Sequence, residues 1–316
     1  MSIAAEPGSV SSIRGMVRIP GGTFLMGSAG FYPEERPVHA VTVDGFWMDA
    51  HPVTVAQFRR FVKATGYVTV AERALDPADY PDADPAALVP GALVFRMTPG
   101  PVHLDDWRQW WSYAPDACWR RPLGCGSTLN GRELHPVTQV AYEDATAYAA
   151  WAGKDLPTEA EWEFAARGGL ESAIFPWGDE FAPKGRRMAN TWHGAFPWQY
   201  LPTGKARPEP GTTPVRTYPP NGYDLYDVAG NVWEWTCDYF TPRHRDPASR
   251  ACCTPRNPRV EHQANPVDAD RFPRRVIKGG SHLCAPNYCL RYRPAARQGQ
   301  SEDSATCHLG FRCVLR

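Results

Sequence analysis

Two cysteines near the C-terminus, Cys284 and Cys289, are the residues whose type and spacing most clearly suggest chemistry. Four residues separate them in a segment rich in Gly and Pro, so a loop could bring the two thiols together. Such a pair can form a disulfide or bind one soft metal ion, because thiolates prefer Cu(I), Zn(II) and iron–sulfur clusters to hard cations. A closed structural zinc site needs four ligands, so two are too few for one. The spacing of the two cysteines and the expected cellular compartment alone favour a disulfide or two unrelated thiols. A site that binds a soft metal ion through only these two ligands stays open as the alternative.

The composition is that of a globular chain without a charge-driven partner. The 316 residues carry 34 basic and 34 acidic side chains, which gives a formal net charge of zero, and no block of Lys and Arg stands out. This balance argues against a nucleic-acid partner and against binding to a charged membrane surface. No run of eighteen apolar residues predicts a membrane span. Residues 1–7 lack the basic start and apolar core of a signal peptide.

We therefore expect a cytoplasmic protein, in which thiols stay reduced. The nine cysteines are an odd number without a repeated C-x-x-C framework, which also argues against a secreted disulfide scaffold. Residues 1–15 are small and polar, and we predict that they are disordered. The rest of the chain, residues 16–316, is predicted to form one α+β domain with little regular secondary structure.

Turn and capping signals place the elements of this domain. Strands are predicted around a Pro-Gly-Gly turn in residues 16–28 and over residues 39–48. Helices are predicted over residues 55–64, 143–152 and 157–167. Thr158 and Glu161 form the capping box of the third helix. Residues 72–132 contain several tryptophans without a clean period, and are either a long functional loop or a Trp cluster that fills the core.

Two groups of charged residues need an interpretation. Glu159, Glu161 and Glu163 resemble a carboxylate cluster, but a favourable interaction with the helix dipole explains them without catalysis. Arg291, Arg293 and Arg297 follow the cysteine pair and are either solvated or paired inside the protein. A cation beside the thiols would also favour thiolates by lowering their pKa.

Several motifs together resemble the sulfatase-modifying factor superfamily. They are IPGGTFLMGS (19–28), PVTVAQF (52–58), LPTEAEWE (156–163), GNVWEWT (230–236) and LGFRC (309–313). The resemblance covers nearly all of residues 16–316 and implies the C-type-lectin-like fold of that superfamily. Non-catalytic relatives and sulfoxide synthases share these motifs, so they imply a fold rather than a reaction.

Residues 279–293 (GGSHLCAPNYCLRYR) are more discriminating. They are similar to the signature of formylglycine-generating enzymes, which oxidise a cysteine within a C-x-P-x-R sequence of sulfatases to Cα-formylglycine. Sulfoxide synthases carry an additional iron-binding module with a three-His pattern, whereas the nine His of this chain are scattered. With the whole signature present, Cu(I) becomes the favoured interpretation of the cysteine pair.

The resemblance implies a copper-dependent oxidase that acts on an unfolded sulfatase or another cysteine-containing peptide. Cys284 and Cys289 would hold one Cu(I), the substrate cysteine would add a third thiolate, and O2 would be the oxidant. An external thiol reductant would supply the remaining electrons. Ser281 would form a hydrogen bond near the metal-bound sulfur or the oxygen species, Trp233 would line a dry pocket for O2, and Tyr288 would lie beside the metal.

The resemblance also implies Ca2+, which prefers oxygen ligands from tight turns. One predicted site consists of Asp227, Glu234 and the carbonyls of Gly230 and Val232, and Asn190 and Thr191 begin a second. Segment 204–210 departs from the family pattern and leaves only Glu209 as an acidic candidate, so the second site is incomplete. His308 stands where many relatives have Asn.

Two other functions stay open. The chain could be a non-catalytic module of the same fold that binds a peptide or assists the maturation of another protein. The intact cysteine pair argues against that, because a binding module has no use for two positioned thiolates. It could also be an oxidase of the same superfamily with another peptide substrate, for which segments 103–119 and 195–211 leave room. Scanning peptides around C-x-P-x-R would separate this alternative from the main prediction.

Overall fold

The structure is a computed structural model that describes residues 13–82, 84, 88–201, 209–244, 254–263 and 272–316. Within these residues the helices are α1 (Val55–Thr65), α2 (Tyr142–Trp151) and α3 (Glu159–Arg167). The strands are β1 (Met16–Ile19), β2 (Gly22–Met26), β3 (His39–Val43), β4 (Phe46–Asp49), β5 (Gly91–Phe95), β6 (Trp111–Pro115), β7 (Trp233–Tyr239), β8 (Arg274–Lys278), β9 (Arg297–Ser301), β10 (Leu309–Gly310) and β11 (Val314–Leu315). Short strands and few helices confirm the predicted α+β class.

The strands form several small sheets. One has the order β1-β4-β11, a second the order β10-β7-β8-β9, and β2-β3 and β5-β6 are two-stranded. All pairs are antiparallel except β10 with β7. Because β4 pairs with both β1 and β11, the first and last strands of the described chain share a sheet.

The helices begin and end close to the predicted residues because their caps are local. Thr54 and Gln57 form a capping box at the start of α1, which ends at Gly66 in the left-handed region. Thr158 caps α3 in the same way. The longest described helix has 11 residues, and none in the described part of the chain could cross a membrane.

The structure differs in part from the sequence predictions for three segments. Residues 39–48 form two strands, β3 and β4, instead of one, because residues 44 and 45 interrupt the strand and the two halves pair in different sheets. The region 72–132 contains the hairpin β5–β6, which was missed because a long connection separates its strands. Trp119 and Trp110 are both buried in apolar clusters, which supports the interpretation as core, and a functional role of this region stays a prediction. Of the segment predicted to be disordered, residues 1–12 lie outside the described residues, and residues 13–15 form a turn.

Strand β7 separates two environments, because alternate side chains of a strand point to opposite faces. Trp233 and Trp235 belong to the core that contains both cysteines of the pair. On the opposite face, Glu234 accepts a hydrogen bond from Trp162 Nε1 of α3 at 2.8 Å. One face of β7 therefore packs in the core that contains the cysteine pair, and the other face packs against α3.

Helix α3 is buried along its whole length, and its charged residues are paired. Glu163 pairs with Lys278 at 3.0 Å and Arg167 at 2.7 Å, and Glu159 pairs with Arg297 at 2.6 Å. The helix dipole was therefore an incomplete explanation of these glutamates, because buried ion pairs to β8 and β9 hold them in place. None of their contacts with the described residues suggests catalysis.

Candidate active site

The two cysteines lie in one loop between β8 and β9, and Gly280 determines its shape. Gly280 has φ 68°, and a Cβ there would lie 2.8 Å from the carbonyl oxygen of Arg291. Only glycine allows the two arms of the loop to run this close. At the tip, the backbone N–H of Cys289 donates to the carbonyl of Ala285 at 2.7 Å. The arms therefore converge and bring the two thiols to the same point.

The sulfur atoms of Cys284 and Cys289 are 3.0 Å apart. A disulfide bond is about 2.05 Å long, so the two thiols are not bonded to each other. Both are buried, with 2% and 7% of their surface exposed. This arrangement fits a soft metal ion, because two sulfur donors meet in an apolar environment. Cys284 and Cys289 would therefore be the residues that hold such an ion.

The electrostatic environments of the two thiols differ. Burial and the hydrogen bond shared with its partner raise the pKa of Cys284. That same hydrogen bond and the nearby charge of Arg291 lower the pKa of Cys289 to about 7, against the effect of burial. The pair therefore favours one shared proton, with Cys284 as donor and Cys289 as acceptor.

Ser281 contacts the pair through its backbone. Its N–H donates to Cys284 Sγ at 3.4 Å, while its hydroxyl accepts from the N–H of Leu283 at 3.2 Å. The side chain is fully buried. Ser281 thus lies next to the sulfur of Cys284 through its backbone N–H rather than its hydroxyl, and its role toward a bound metal stays a prediction.

Trp233 is 2% exposed and shares the apolar cluster of the two cysteines. Its backbone N–H donates to the carbonyl of His308 at 2.8 Å, next to the point where β7 and β10 pair. The ring of His308 packs against Trp111 with 4.8 Å between centroids. Burial lowers the pKa of His308 to about 3, so this imidazole is neutral near pH 7. Trp233 and the neutral His308 therefore add no charge to this part of the core.

Tyr288 lies at the surface, with 38% of its area exposed. Its ring stacks on Phe196 with 4.5 Å between centroids and meets the edge of Trp110 at 5.4 Å. Asn287 fixes this contact by donating from Nδ2 to the carbonyl of Phe196 at 3.2 Å. These rings form an aromatic platform one residue from Cys289, and sequence reasoning had missed the contribution of Phe196.

The carboxylates of the first predicted calcium site are buried and partly engaged. Glu234 accepts from Arg312 at 2.6 and 2.7 Å as well as from Trp162. Asp227 accepts from the side chain of Asn231 and from the backbone N–H of Arg216. Each carboxylate oxygen has two lone pairs, so Glu234 Oε1 and both oxygens of Asp227 can accept one further partner. Oxygen donors of this kind suit Ca2+, but both oxygens of Glu234 are already paired with Arg312, so a calcium site at this turn stays a prediction.

Asn231 joins the two predicted calcium sites. Its Oδ1 accepts from Asn190 Nδ2 at 3.2 Å and its Nδ2 donates to Asp227 at 3.2 Å. Gly230, with φ 71°, allows the backbones to meet, because a Cβ there would lie 2.3 Å from the carbonyl oxygen of Asn190. Thr191 instead faces His193, with 3.4 Å between Oγ1 and Nε2. Most of segment 204–210, on which the second site depends, lies outside the described residues, so that site stays a prediction.

Comparison with known proteins decides the family. Residues 3–316 match the family model described as the sulfatase-modifying factor enzyme 1-like domain. The chain belongs to the sulfatase-modifying factor family. A protein of Mycobacterium tuberculosis H37Rv named formylglycine-generating enzyme is 57% identical over 95% of this chain and 97% of its own length. One of Mus musculus with the same name is 43% identical over 95% of this chain and 74% of its own length.

Similarity over the whole chain leaves the reaction open within the sulfatase-modifying factor family. A Mus musculus protein named inactive C-alpha-formylglycine-generating enzyme 2 is 37% identical over 95% of this chain and 85% of its own length. Among solved structures, PvdO from Pseudomonas aeruginosa superposes with a TM-score of 0.61 at 21% identity, covering 99% of this chain and all of that one. That likeness shows a shared fold only. The reaction must therefore be argued from the residues of the site.

Proposed function

We propose that this member of the family is a copper-dependent oxidase that converts a cysteine in a C-x-P-x-R segment of a sulfatase to Cα-formylglycine. The observation that carries this proposal is the buried pair of unbonded thiols, Cys284 and Cys289, with 3.0 Å between the sulfurs. The names of the relatives at 57% and 43% identity support the substrate class. A module that only bound peptides would have no need for two thiols positioned this closely.

The proposed reaction is balanced with O2 and two molecules of an external thiol. The substrate CH2–SH group becomes an aldehyde, and hydrogen sulfide, water and a disulfide of the external thiol are released. Oxidation of the substrate carbon supplies two of the electrons that reduce O2, and the external thiols supply the other two. When bound, Cu(I) would supply a soft centre at which the substrate sulfur and O2 meet.

The residues around the sulfur pair prepare it for this chemistry. Cys284 and Cys289 would hold the metal, and they must be deprotonated to do so. The N–H of Ser281 donates to the sulfur of Cys284, which stabilises negative charge there. Trp233 is buried in the same apolar cluster as the pair and would line the pocket for O2.

The substrate must be an extended peptide, because its cysteine has to reach two recessed sulfurs. The exposed ring of Tyr288 and its partners Phe196 and Trp110 offer an aromatic surface beside Cys289. An extended chain can lie on such a surface, with affinity from main-chain hydrogen bonds and specificity from side-chain pockets. Calcium at Asp227 and Glu234 is proposed as structural, and a cytoplasmic location stays a prediction.

The test is an aerobic assay with Cu(I), dithiothreitol and the peptide Leu-Cys-Thr-Pro-Ser-Arg, read by mass spectrometry. We expect aldehyde product from the wild type and none from Cys284→Ala or Cys289→Ala. Cys237→Ala is the control, since Cys237 is also a buried free thiol but lies on β7. Full activity of either variant of the pair would contradict the proposal. Copper binding without product from this peptide would favour an oxidase for another peptide.

A further inference from the structure

A short segment from the beginning of the chain packs against the cysteine loop. We call residues 31–35 the strap. The hydroxyl of Tyr32 accepts a hydrogen bond from the backbone N–H of Leu290 at 3.0 Å. Glu34 pairs with Arg291 at 2.6 Å, and the Arg291 guanidinium carbon lies 3.8 Å from the centroid of the Tyr32 ring. Two strap residues therefore hold the chain directly after Cys289.

The strap is itself fixed in the core, so it can serve as a rigid support. Glu35 is fully buried and pairs with Arg293 through both carboxylate oxygens. Its carbonyl accepts from the N–H of Ser28 at 3.0 Å, and the carbonyl of Glu34 accepts from Arg297 at 3.2 Å. The basic residues after the cysteine pair are therefore paired inside the protein rather than solvated.

The side chain of Arg291 lies between Glu34 and the sulfur pair. Its Nη2 donates to Glu34 at 2.6 Å. Together with the hydrogen bond from Cys284, a hydrogen bond and the positive charge of the Arg291 side chain lower the pKa of Cys289. Two thiolates and one monovalent cation carry a net negative charge, and a cation held beside them stabilises that charge. The function proposed above gives Arg291 no role.

We propose that Tyr32 and Glu34 are positioning residues that act through Arg291. They fix its guanidinium beside Cys289, where it compensates the negative charge of the sulfur pair. The role in Cu(I) binding rests on the proposed function, but the effect on the two sulfurs does not. Nothing in the sequence predicts the contact, because Tyr32 and Leu290 are 258 residues apart.

The test is a double-mutant cycle of Tyr32→Phe and Arg291→Met. Phenylalanine keeps the ring under Arg291 and removes only the hydroxyl that accepts from Leu290. Cu(I) affinity is measured by competition with bicinchoninate, and folding is monitored by thermal unfolding. We expect Arg291→Met to weaken Cu(I) binding about 10-fold and Tyr32→Phe about 3-fold. In the Arg291→Met background, Tyr32→Phe should have no further effect, since residues that act through one another are non-additive.

Tyr80→Phe is the matched control, because its hydroxyl forms a hydrogen bond with Asp303, outside the cysteine loop. It should leave Cu(I) affinity unchanged. An effect of Tyr32→Phe that is equal in both backgrounds would overturn the inference and indicate a general loss of packing. So would the absence of any effect of Tyr32→Phe.

A metal-free measurement separates this inference from the proposed function. The metal-free pair is equilibrated between dithiol and disulfide in glutathione buffers, and the ratio is read by mass spectrometry. Loss of the cation destabilises the reduced pair, so Arg291→Met and Tyr32→Phe should both shift the equilibrium toward the disulfide, non-additively. Wild-type protein that binds no Cu(I) would contradict the proposed function alone. Unchanged equilibria in both variants would overturn the positioning role.

Discussion

Burial raises the pKa of Cys237 to about 12 and that of Cys307 to about 11, so both thiols stay protonated near neutral pH. Cys289 is buried as well, yet its hydrogen bond from Cys284 and the charge of Arg291 lower its pKa to about 7. A thiolate is the form that binds metals and acts as a nucleophile. Local hydrogen bonds and charge, rather than exposure, therefore distinguish Cys289 from Cys237 and Cys307.

Tyr288 provides a prediction about substrate binding. Tyr288→Ala removes the exposed ring of the aromatic platform and should raise KM for the peptide about 5-fold, because an aromatic contact contributes about 1 kcal/mol. Tyr288→Phe keeps the stacking and should retain nearly wild-type KM. Steady-state kinetics with a C-x-P-x-R peptide check this. Equal losses in both variants would show that the hydroxyl matters and that the platform interpretation is wrong.

Among the secondary-structure elements, helix α3 supports the loop that carries the two cysteines. Its glutamates pair with residues of β8 and β9, the strands on either side of the cysteine loop. Trp162 of the same helix reaches Glu234 on β7 and lies close to Gly279, where a Cβ would approach its ring to 3.0 Å. The position of the loop therefore depends on the buried ion pairs of α3.

Glu163 provides a prediction about stability. Burial by itself would raise the pKa of Glu163, but Lys278 and Arg167 outweigh it and lower the value from 4.5 to about 2. A carboxyl group whose pKa is lower in the folded than in the unfolded state stabilises the fold at pH values above its unfolded-state pKa. This stabilisation is lost as the pH falls through its folded-state pKa. Glu163→Gln should lower the free energy of unfolding by about 3 kcal/mol at pH 7.

The difference between Glu163→Gln and the wild type should shrink as the pH falls from 4.5 to 2. Urea unfolding at several pH values measures it. Glu133→Gln is the control, because Glu133 is half exposed and 3.9 Å from Arg59, and such pairs contribute little. A difference that stayed constant down to pH 2 would mean that the charge of Glu163 is not what stabilises α3.

On the scale of the whole molecule, one buried network connects distant parts of the chain. Arg312, between β10 and β11, pairs with Glu234 on β7, and its Nη2 also donates to the carbonyl of Tyr226 at 2.9 Å. Asn231, three residues before Glu234, forms a second set of hydrogen bonds, to Asn190 and Asp227. A cation at this turn would therefore stabilise the fold as a whole rather than the sulfur pair.

Calcium removal tests this role. We expect EGTA to lower Tm by about 3–5 °C, because a ligand bound only by the folded state stabilises it. Asp227→Asn should have a lower Tm that no longer responds to EGTA, while Cu(I) binding persists. A wild-type Tm unaffected by EGTA would show that Arg312 alone compensates Glu234 and that the calcium prediction is wrong.

Local signals predicted much of this fold, and long-range contacts limited the rest. The capping box of Thr158 and Glu161 spans three residues, so the start of α3 could be read directly. The motif of residues 279–293 indicated the converging cysteines because Gly280 and the pair lie within one loop. In contrast, Glu159 and Arg297 are 138 residues apart, and Tyr32 and Leu290 are 258 apart. No local pattern encodes such contacts, so the ion pairs of α3 and the strap emerged only from the structure.

The most direct test of the central claim is a titration of the metal-free chain with Cu(I) in which aldehyde formation is measured at each step. We expect activity to rise linearly and to reach a plateau at one copper per chain. The double variant Cys284→Ala, Cys289→Ala should give no product at any copper concentration. Aldehyde formed by copper-free protein, or none at full copper occupancy, would contradict the assignment of Cys284 and Cys289 as the copper site of a formylglycine-generating oxidase.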